Sequence, residues 1–423
     1  MSVQAYDPLA DQRTPEGPQF DVFLAGTVFL DIVFTGLPAM PAAGTEIWAE
    51  GMGSCPGGIA NLAIATSRLG LRTSLGRRVR RRRLRRLLLA HAGRAGSGRP
   101  VEIATLRAVA LACHGLHGRR PRPQHGHPRP RRPHVGVGDD RIAAALQGGD
   151  RGALGEEPLG VPGASSWAEL AHRDGALIFA DVGWDPSGAW SPALLEQLSA
   201  CHAFMPNAVE ATAYTGTDNP RDALYAIADR VPLAVVTDGA NGAMAIDSIT
   251  GEEAYVPAPR VTALDPTGAG DVFGAGFVLG TLCRWPLADR LAFAGLCAAL
   301  AVQQFGGSLA APGWGDIADW WHEVRAQAGH GGAYADSVAR RYAFLDRLVP
   351  TVPVGAVRRA AATIARHADL EMAPLVSGEA SGDTTHARTT RRLRGRLRGS
   401  ARRSRRARRP RVASRARPEG VTP

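Results

Sequence analysis

The chain has 423 residues, of which 45% are hydrophobic and 21% are charged, and its formal net charge is +11 at pH 7. This length allows one large α/β domain with additional segments. The sequence contains no run of about twenty apolar residues, and its start lacks a basic stretch followed by an apolar one. We therefore expect neither a membrane span nor a secretory signal, and we expect a soluble, cytoplasmic protein.

The positive charge is concentrated in two tracts. All fifty basic residues are arginine; nineteen lie in residues 77–160 against six acids, and fifteen lie in residues 388–423 against one. The rest of the chain has sixteen arginines against 32 acids and is therefore strongly acidic. Arginine runs can bind nucleic acid through phosphates, but these tracts contain no recognisable nucleic-acid module. Nucleic acid is therefore not an expected partner.

The cysteines argue against a disulfide framework or a zinc site. They are odd in number and none shows C-x-x-C spacing. The five are Cys55, Cys113, Cys201, Cys283 and Cys297.

A glycine-rich loop near residue 268 is the most informative stretch. A short apolar run ends at Asp265, the loop Thr267-Gly268-Ala269-Gly270 follows, and Asp271 opens an apolar stretch with helical spacing. Such a loop presents backbone N–H groups at a helix N-terminus, which attracts phosphate. A carboxylate beside bound phosphate weakens its binding and therefore suggests a base, as phosphoryl transfer to a hydroxyl requires. Simple compensation of the helix dipole by Asp271 is the alternative.

This stretch resembles the C-terminal signature of the ribokinase/PfkB family of sugar and nucleoside kinases. The resemblance implies that Asp271 is the general base that removes the proton of the acceptor hydroxyl. It implies an anion hole formed by three successive backbone amides, those of Gly268, Ala269 and Gly270. It also implies that Asp265 and Thr267 contribute to a site for a monovalent cation such as K⁺.

A second motif lies near the start of the chain. Phe20 to Phe29 reads as one buried strand followed by Asp31, and Gly57-Gly58-Ile59-Ala60-Asn61 leads into a helix that ends near Gly70. This motif resembles the N-terminal signature of the same family, although the spacing to Asn61 is tighter than in many members. The resemblance implies substrate binding by Asp31, Gly57, Gly58 and Asn61. A solvated loop carboxylate is the alternative for Asp31.

Two later segments place polar residues at predicted strand ends. A strand ending at Phe204 turns into a helix at Asn207, and Glu210 shares its face. The buried run Leu233–Thr237 leads into a glycine turn. The resemblance implies that Asn207 and Glu210 organise Mg²⁺ around the ATP phosphates; an asparagine helix cap is the alternative. The residues predicted to bind ATP or magnesium are Asn207, Glu210, Thr237, Gly239 and Gly242.

Residues 77–160 break the pattern of buried strands. Burying unpaired guanidinium groups is prohibitive and proline is excluded from central strands, so we expect the tract to stay outside the core. Reading Val79–His91 in the next frame, with codons chosen to allow it, gives the Gly-Asp-Asp-x-x-Gly pattern that family members show here. We therefore interpret the tract as frame-shifted and the lid of the family fold as disrupted.

The remaining elements alternate between buried strands and helices, which predicts an α/β fold. We expect a strand at Ala176–Asp181, a helix at Ser191–Ala200, a hairpin from Ala243–Ile246 and Ala254–Val256, and helices over 287–305, 317–325, 337–348 and 354–367. The resemblance implies a three-layer ribokinase-like fold, with a central mostly parallel sheet, flanking helices and a small β-lid. The kinase domain should span residues 18–372 and precede a disordered arginine-rich tail, residues 373–423.

The inferred reaction is transfer of the γ-phosphoryl group of ATP to a hydroxyl of a sugar or related polyol, with Mg²⁺ and in addition K⁺. An adenosine-like nucleoside kinase and a catalytically inactive relative remain open alternatives. Many relatives carry Asp-x-Asn-x-Arg where this chain has Asp181-Val182-Gly183-Trp184-Asp185, which leaves the substrate class open. A homodimer is a possible assembly.

Overall fold

A computed structural model of the chain describes residues 6–15, 17–26, 28–37, 39, 46–77, 102–105, 143–148, 171, 175–182, 185 and 188–359. The predicted tail, the end of the predicted kinase domain and Cys113 lie outside these ranges. The four cysteines within them are free thiols.

The strands form one nine-stranded sheet and one two-stranded sheet in the described residues. In the larger sheet the order is β11-β10-β9-β8-β7-β6-β1-β4-β5, and only the β9-β10-β11 end is antiparallel. The strands are β1 (Val22–Ala25), β2 (Val28–Thr35), β3 (Gly51–Gly58), β4 (Thr73–Arg77), β5 (Glu102–Thr105), β6 (Ala143–Gly148), β7 (Leu177–Val182), β8 (Ala203–Phe204), β9 (Leu233–Thr237), β10 (Ala243–Asp247) and β11 (Glu252–Val256).

Helices cover both faces of this sheet. They are α1 (Ile59–Arg68), α2 (Ala193–Glu196), α3 (Ala208–Thr215), α4 (Pro220–Ala228), α5 (Ala269–Leu282), α6 (Leu287–Ala301), α7 (Gly307–Ala310), α8 (Trp314–Gln327) and α9 (Gly332–Arg341). No helix in the described part of the chain is both long and apolar enough to cross a membrane.

Two apolar clusters fill the space between the sheet and its helices. Because successive strand residues point to opposite faces, Phe179 packs with α1, α5 and α6, whereas its neighbours Ile178 and Ala180 pack with α3 and α4. Helix, sheet and helix therefore form three layers, as the sequence predicts. The predicted hairpin is confirmed by the antiparallel pairing of β10 with β11.

The smaller sheet pairs β2 with β3 antiparallel, from Val28 opposite Gly58 to Thr35 opposite Gly51. We call this two-stranded sheet the lid. The prediction of one strand over Phe20–Phe29 was wrong, because the chain leaves β1 after Ala25 and enters the lid at Val28. Asp31 therefore lies within a lid strand and not just beyond a strand of the central sheet.

The tract 77–160 contributes two strands to the central sheet, which corrects the prediction that it stays outside the core. β6 lies between β1 and β7, and β5 pairs with β4. The physical reason is local composition, since Glu102–Thr105 and Ala143–Gly148 contain neither arginine nor proline. Most of the tract lies outside the described residues, so the frame-shift interpretation stays a prediction that sequencing the gene across these codons would check.

Three helix predictions differ from the structure. The segment predicted as a helix over Ser191–Ala200 is α2 followed by a 3₁₀ turn, and α9 likewise ends at Arg341 before a 3₁₀ turn. Residues 354–359 are not helical, and the remainder of that predicted helix lies outside the described ranges. The Val357 carbonyl accepts a hydrogen bond from the Gly315 amide at 2.9 Å, which holds the segment against the start of α8.

Candidate functional site

Helix α5 begins without a side-chain cap. Its N-cap residue, Gly268, has φ of +73°, a left-handed conformation that glycine adopts without strain. The Ala269 amide donates to the Pro266 carbonyl at 3.1 Å, so this member of the predicted anion hole is engaged by the turn. A Cβ at Gly270 would meet no atom within 4 Å. The helix start therefore combines a positive dipole end with open space beside its backbone.

Asp271 lies in the first turn of α5 and is 7% exposed. Its Oδ2 accepts a hydrogen bond of 3.0 Å from Nδ2 of Asn61, a residue of α1 that is 210 positions earlier in the chain. Burial raises the pKa of Asp271 to about 7; the bond from Asn61 lowers it and the negative charge of Asp31 raises it. A carboxyl group with such a pKa can act as a proton acceptor at neutral pH.

The lid brings Asp31 towards this carboxylate. Asp31 is half-buried opposite Cys55 in the lid register. Burial raises its pKa, and so does the charge of Asp265. Burial also raises the pKa of Cys55 to about 11, so the thiol stays protonated at neutral pH and is not an activated nucleophile. Gly57 and Gly58 end β3, and the left-handed Gly58, with φ of +63°, starts α1.

Asp265 links the loop before α5 to the start of α7. Its Oδ1 accepts from the Thr267 amide at 2.9 Å and its Oδ2 accepts from the Gly306 amide at 2.8 Å. The Ser308 hydroxyl donates to the Pro56 carbonyl of β3 at 2.8 Å. The two residues predicted to bind a cation are thus close together, and Asp265 also holds the loop before Asp271 against the start of α7.

Asn207 and Glu210 cap helix α3 reciprocally. Asn207 Oδ1 accepts from the Glu210 amide, and Glu210 Oε2 accepts from the Asn207 amide, each at 3.0 Å. Burial raises the pKa of Glu210. The pKa of Asp181, at the end of β7, lies well above its usual range because of burial and the charges of Asp271 and Glu210. The structure therefore has the helix cap that the sequence left as an alternative, and adds a carboxyl group that the sequence did not assign.

A cavity of about 440 Å³ lies beside the start of α5. Thr237, Gly239 and Gly242, three of the residues predicted to bind ATP, line it together with Ala269 and Gly270. The sequence did not assign its apolar walls, which come from the end of β11 and the loop after it, from α5 and from α6. These walls include Val256, Pro257, Val261, Phe273, Leu291, Ala298 and Val302.

The family model described as pfkB family carbohydrate kinase matches residues 151–313. The chain carries a pfkB family carbohydrate kinase domain. The match includes α3, the cavity and the start of α5, and so contains Asp271 and the loop before it. It ends at the residue before α8.

Curated relatives of the pfkB domain agree with this family. The chain is 32% identical to a ribokinase of Schizosaccharomyces pombe over 153 residues, which are 34% of this chain and 46% of that protein. It is 39% identical to an aminoimidazole riboside kinase of Salmonella typhimurium over 106 residues, 23% of this chain and 32% of that one. The chain thus matches less than half the length of either relative.

Solved structures show the same fold. A putative ribokinase II of E. coli, in complex with ATP and Mg²⁺, has a TM-score of 0.51 and 18% identity, and the match covers 72% of this chain and 99% of that one. An Arabidopsis thaliana ribokinase with ribose and ATP has a TM-score of 0.50 and 19% identity, with coverage of 70% and 96%. The predicted three-layer ribokinase-like fold is confirmed.

The pfkB domain has a site that fits a nucleotide. Its cavity has apolar walls that suit a base and opens at Gly270, where no side chain fills the space beside the helix start. In the described ranges, no three His, Cys, Asp or Glu side chains are grouped so that they could hold a metal ion. The carboxylates of this site therefore fit Mg²⁺ only if phosphates and water supply most of the ligands of the ion, which is usual for Mg²⁺.

Proposed function

We propose that the chain is an ATP-dependent kinase that transfers the γ-phosphoryl group to a hydroxyl of a sugar or related polyol. The observation that carries the proposal is the buried Asp271 at the uncapped start of α5, between the nucleotide-sized cavity and the lid. A base beside an anion site, reached from one side by a nucleotide and from the other by an acceptor, is the arrangement that phosphoryl transfer requires.

The chain's own residues have separate roles in this proposal. Asp271 removes the proton of the acceptor hydroxyl, and the backbone amides of Gly268 and Gly270 stabilise the transferring charge. Asp31, Gly57 and Gly58 orient the acceptor beneath the lid. Thr237, Gly239 and Gly242 hold the nucleotide, and Asn207 and Glu210 orient magnesium-bound water. ATP supplies the phosphoryl group, and Mg²⁺ offsets its charge.

A nucleoside acceptor is the second candidate. The matched relative in Salmonella typhimurium is an aminoimidazole riboside kinase, so a riboside is a chemically reasonable acceptor for a site of this family. Gly183 and Asp185 stand where many relatives carry the Asn and Arg of Asp-x-Asn-x-Arg, which leaves the choice between sugar and riboside to experiment. A catalytically inactive relative is the third candidate.

The test is ADP formation by the full chain with ATP, Mg²⁺ and single acceptors, comparing aldoses, ketoses, polyols and ribosides. The reaction without acceptor is the control. Turnover above this background with a free sugar supports the proposal, and turnover confined to ribosides supports the nucleoside kinase. Background rates with every acceptor, together with normal ATP binding, would identify an inactive relative.

Three further expectations accompany the proposal. K⁺ should raise the rate by ordering the loop at Asp265 and Thr267; equal rates with a bulky organic cation would contradict this.

A homodimer would give twice the chain mass in sedimentation equilibrium. The outer face of the lid exposes apolar side chains that a second copy could cover, namely Leu30, Ile32, Phe34 and Met52. Cytoplasmic location, checked by cell fractionation, also stays a prediction.

A further inference from the structure

The loop after β11, residues 257–261, lines the cavity beside α5 along its whole length. We call this loop the 257–261 wall. In the described part of the chain, residues 258–263 make no hydrogen bond to another backbone group. Pro257 and Pro259 have no backbone N–H to donate. Contacts other than backbone pairing therefore have to hold the wall in place.

The 257–261 wall has a second cavity on its other side. This cavity has a volume of about 530 Å³ and is lined by Pro259, Arg260 and Val261 and by residues of α8 and α9 that include Trp320 and Val338. Because three wall residues line both cavities, the wall is a partition with open space on each side. Close packing, which fixes most of a protein interior, does not fix this loop.

Helix α9 makes three contacts with the wall. The Arg260 amide donates to the Tyr334 hydroxyl at 2.8 Å. The Arg260 guanidinium lies over the ring of the same tyrosine, 4.6 Å from its centroid, which is an attractive cation–π distance. Near the other end of the wall, Arg341 Nη1 donates to the Pro257 carbonyl at 3.1 Å. One helix therefore holds both ends of the wall.

α9 is itself attached to the core through its second half. Val338 on α9 and Tyr342 at its C-cap are buried in the main apolar cluster. The Tyr342 ring packs edge-on against Trp320 of α8, with 4.8 Å between the ring centroids. The helix lies beyond residue 313, where the match to the pfkB family model ends. A support for the wall thus comes from a part of the chain to which the family match assigns nothing.

We propose that α9 holds the 257–261 wall in its nucleotide-binding conformation, and that Tyr334 and Arg341 are positioning residues that set the affinity for ATP. This inference rests on the proposed function, because it takes the cavity beside α5 as the ATP site. Neither residue lines that cavity, so each acts through the wall. A wall that spends only part of the time in the binding conformation lowers the apparent affinity by that fraction.

The experiment compares three variants of the full chain with the parent. Tyr334→Phe removes the hydroxyl and keeps the ring beneath Arg260. Tyr334→Leu removes the hydroxyl and the ring. Arg341→Met removes the donor to Pro257 and keeps an unbranched apolar stem. The measurements are the Kd of a non-hydrolysable ATP analogue, the acceptor KM, kcat at saturating ATP, and the melting temperature.

Two substitutions on the surface serve as matched controls. Tyr225 is 41% exposed, as Tyr334 is, and also has an arginine near its ring. Its hydroxyl donates to Glu253 of β11 at 3.0 Å, but it does not line the cavity beside α5. Tyr225→Phe therefore controls for the loss of a tyrosine hydroxyl. Arg340→Met, at the exposed neighbour of Arg341, controls for the loss of one positive charge from α9.

We expect the Kd of the ATP analogue to rise about threefold in Tyr334→Phe and in Arg341→Met, and about tenfold in Tyr334→Leu. The acceptor KM and kcat at saturating ATP should change less than about twofold, because the wall does not reach the acceptor. Both controls should bind the analogue as the parent does. An unchanged Kd in Tyr334→Leu and Arg341→Met, or a fall in kcat without a change in Kd, would overturn the proposal.

Hydrogen exchange of the Arg260 amide reports on the wall without nucleotide or turnover. Arg341→Met keeps Tyr334, so the Arg260 amide should exchange faster there only if losing the contact at Pro257 frees the whole wall. Exchange equal to that of the parent and of Arg340→Met would overturn the role of α9. A parent that binds no ATP analogue would refute the proposed function, and the exchange rates would still decide whether α9 holds the wall.

Discussion

Helices α3 and α5 begin at the same edge of the sheet but use their N-termini differently. α3 satisfies its first amides with its own side chains through the Asn207–Glu210 capping box. α5 has no side-chain cap and starts from a left-handed glycine. A capped start stabilises the fold and offers little to an anion, whereas an uncapped start leaves donors for a ligand. The difference indicates which helix can hold a transferring phosphate.

The same contrast applies to the two carboxyl groups in these first turns. The Glu210 carboxylate accepts a hydrogen bond from the Asn207 amide at its own helix start. Asp271 accepts a hydrogen bond from Asn61, which belongs to another helix. A carboxylate that is not needed to cap its helix is available for proton transfer. The following predictions test this contrast.

Removing the base should have the largest effect. Asp271→Asn keeps the size of the side chain and the helix start, so kcat should fall by about 10²–10⁴-fold while ATP affinity stays close to that of the parent. Steady-state kinetics and equilibrium titration with a non-hydrolysable ATP analogue measure the two quantities. Equal turnover of variant and parent would refute the assignment of Asp271.

Blocking the uncapped start of α5 should have the next largest effect. Gly268→Ala forces a left-handed alanine and places its Cβ 2.9 Å from the Gly307 Cα, so we expect reduced stability and a loss of turnover. The left-handed conformation alone costs about 1–2 kcal/mol. Gly216→Ala is the matched control, because Gly216 has φ of +67° and its Cβ would meet nothing within 4 Å. Equal melting temperatures of the two variants would contradict the predicted clash.

Altering the self-capped start should affect metal dependence more than folding. In Glu210→Gln the amide oxygen can still accept from Asn207, so the melting temperature should change little. The Mg²⁺ concentration for half-maximal rate should rise severalfold if Glu210 orients magnesium-bound water. Asn207→Ala removes the cap and should cost about 1 kcal/mol of stability. An unchanged Mg²⁺ requirement in Glu210→Gln would leave this pair with a capping role alone.

The smallest expected effect concerns stability against pH. The folded Asp271 carboxyl holds its proton up to about pH 7, whereas its unaltered pKa is 3.8. Between these values the folded state binds more protons, so raising the pH across this window lowers the free energy of unfolding. Asp271→Asn has no carboxyl group to titrate here, so its free energy of unfolding does not fall in this way. Its melting temperature should exceed that of the parent by a few degrees at pH 8 and by less at pH 4. A constant difference would contradict the raised pKa.

Local sequence patterns predicted the elements that hold the site but not the contacts between them. The loop before Asp271 and the glycine pair before Asn61 both lie at helix starts, as their small residues indicate. The bond between Asn61 and Asp271 joins residues 210 positions apart, and no local periodicity records such a contact. The cavity wall at Pro257–Val261 is irregular, so it also gave no periodic signal.

Composition misled the interpretation of residues 77–160 for a related reason. Averaged over the tract, arginine and proline exclude a buried strand, but a strand needs only four to six suitable residues, as β5 and β6 have here. Ala143–Gly148 passes between β1 and β7 without a charged residue. Short windows within a biased tract therefore have to be judged separately.

The position of β6 in the sheet has a consequence for synthesis on the ribosome. β1 can pair with β6 only after roughly 120 further residues have been translated. At about 5–20 residues per second this takes about 6–24 s. During this interval one edge of β1 is open to pairing with other nascent chains. Asp271 is translated later still, after β6 has joined the two halves of the sheet. Slow codons before residue 143 should therefore lower the soluble yield, and slow codons after residue 148 should affect it much less.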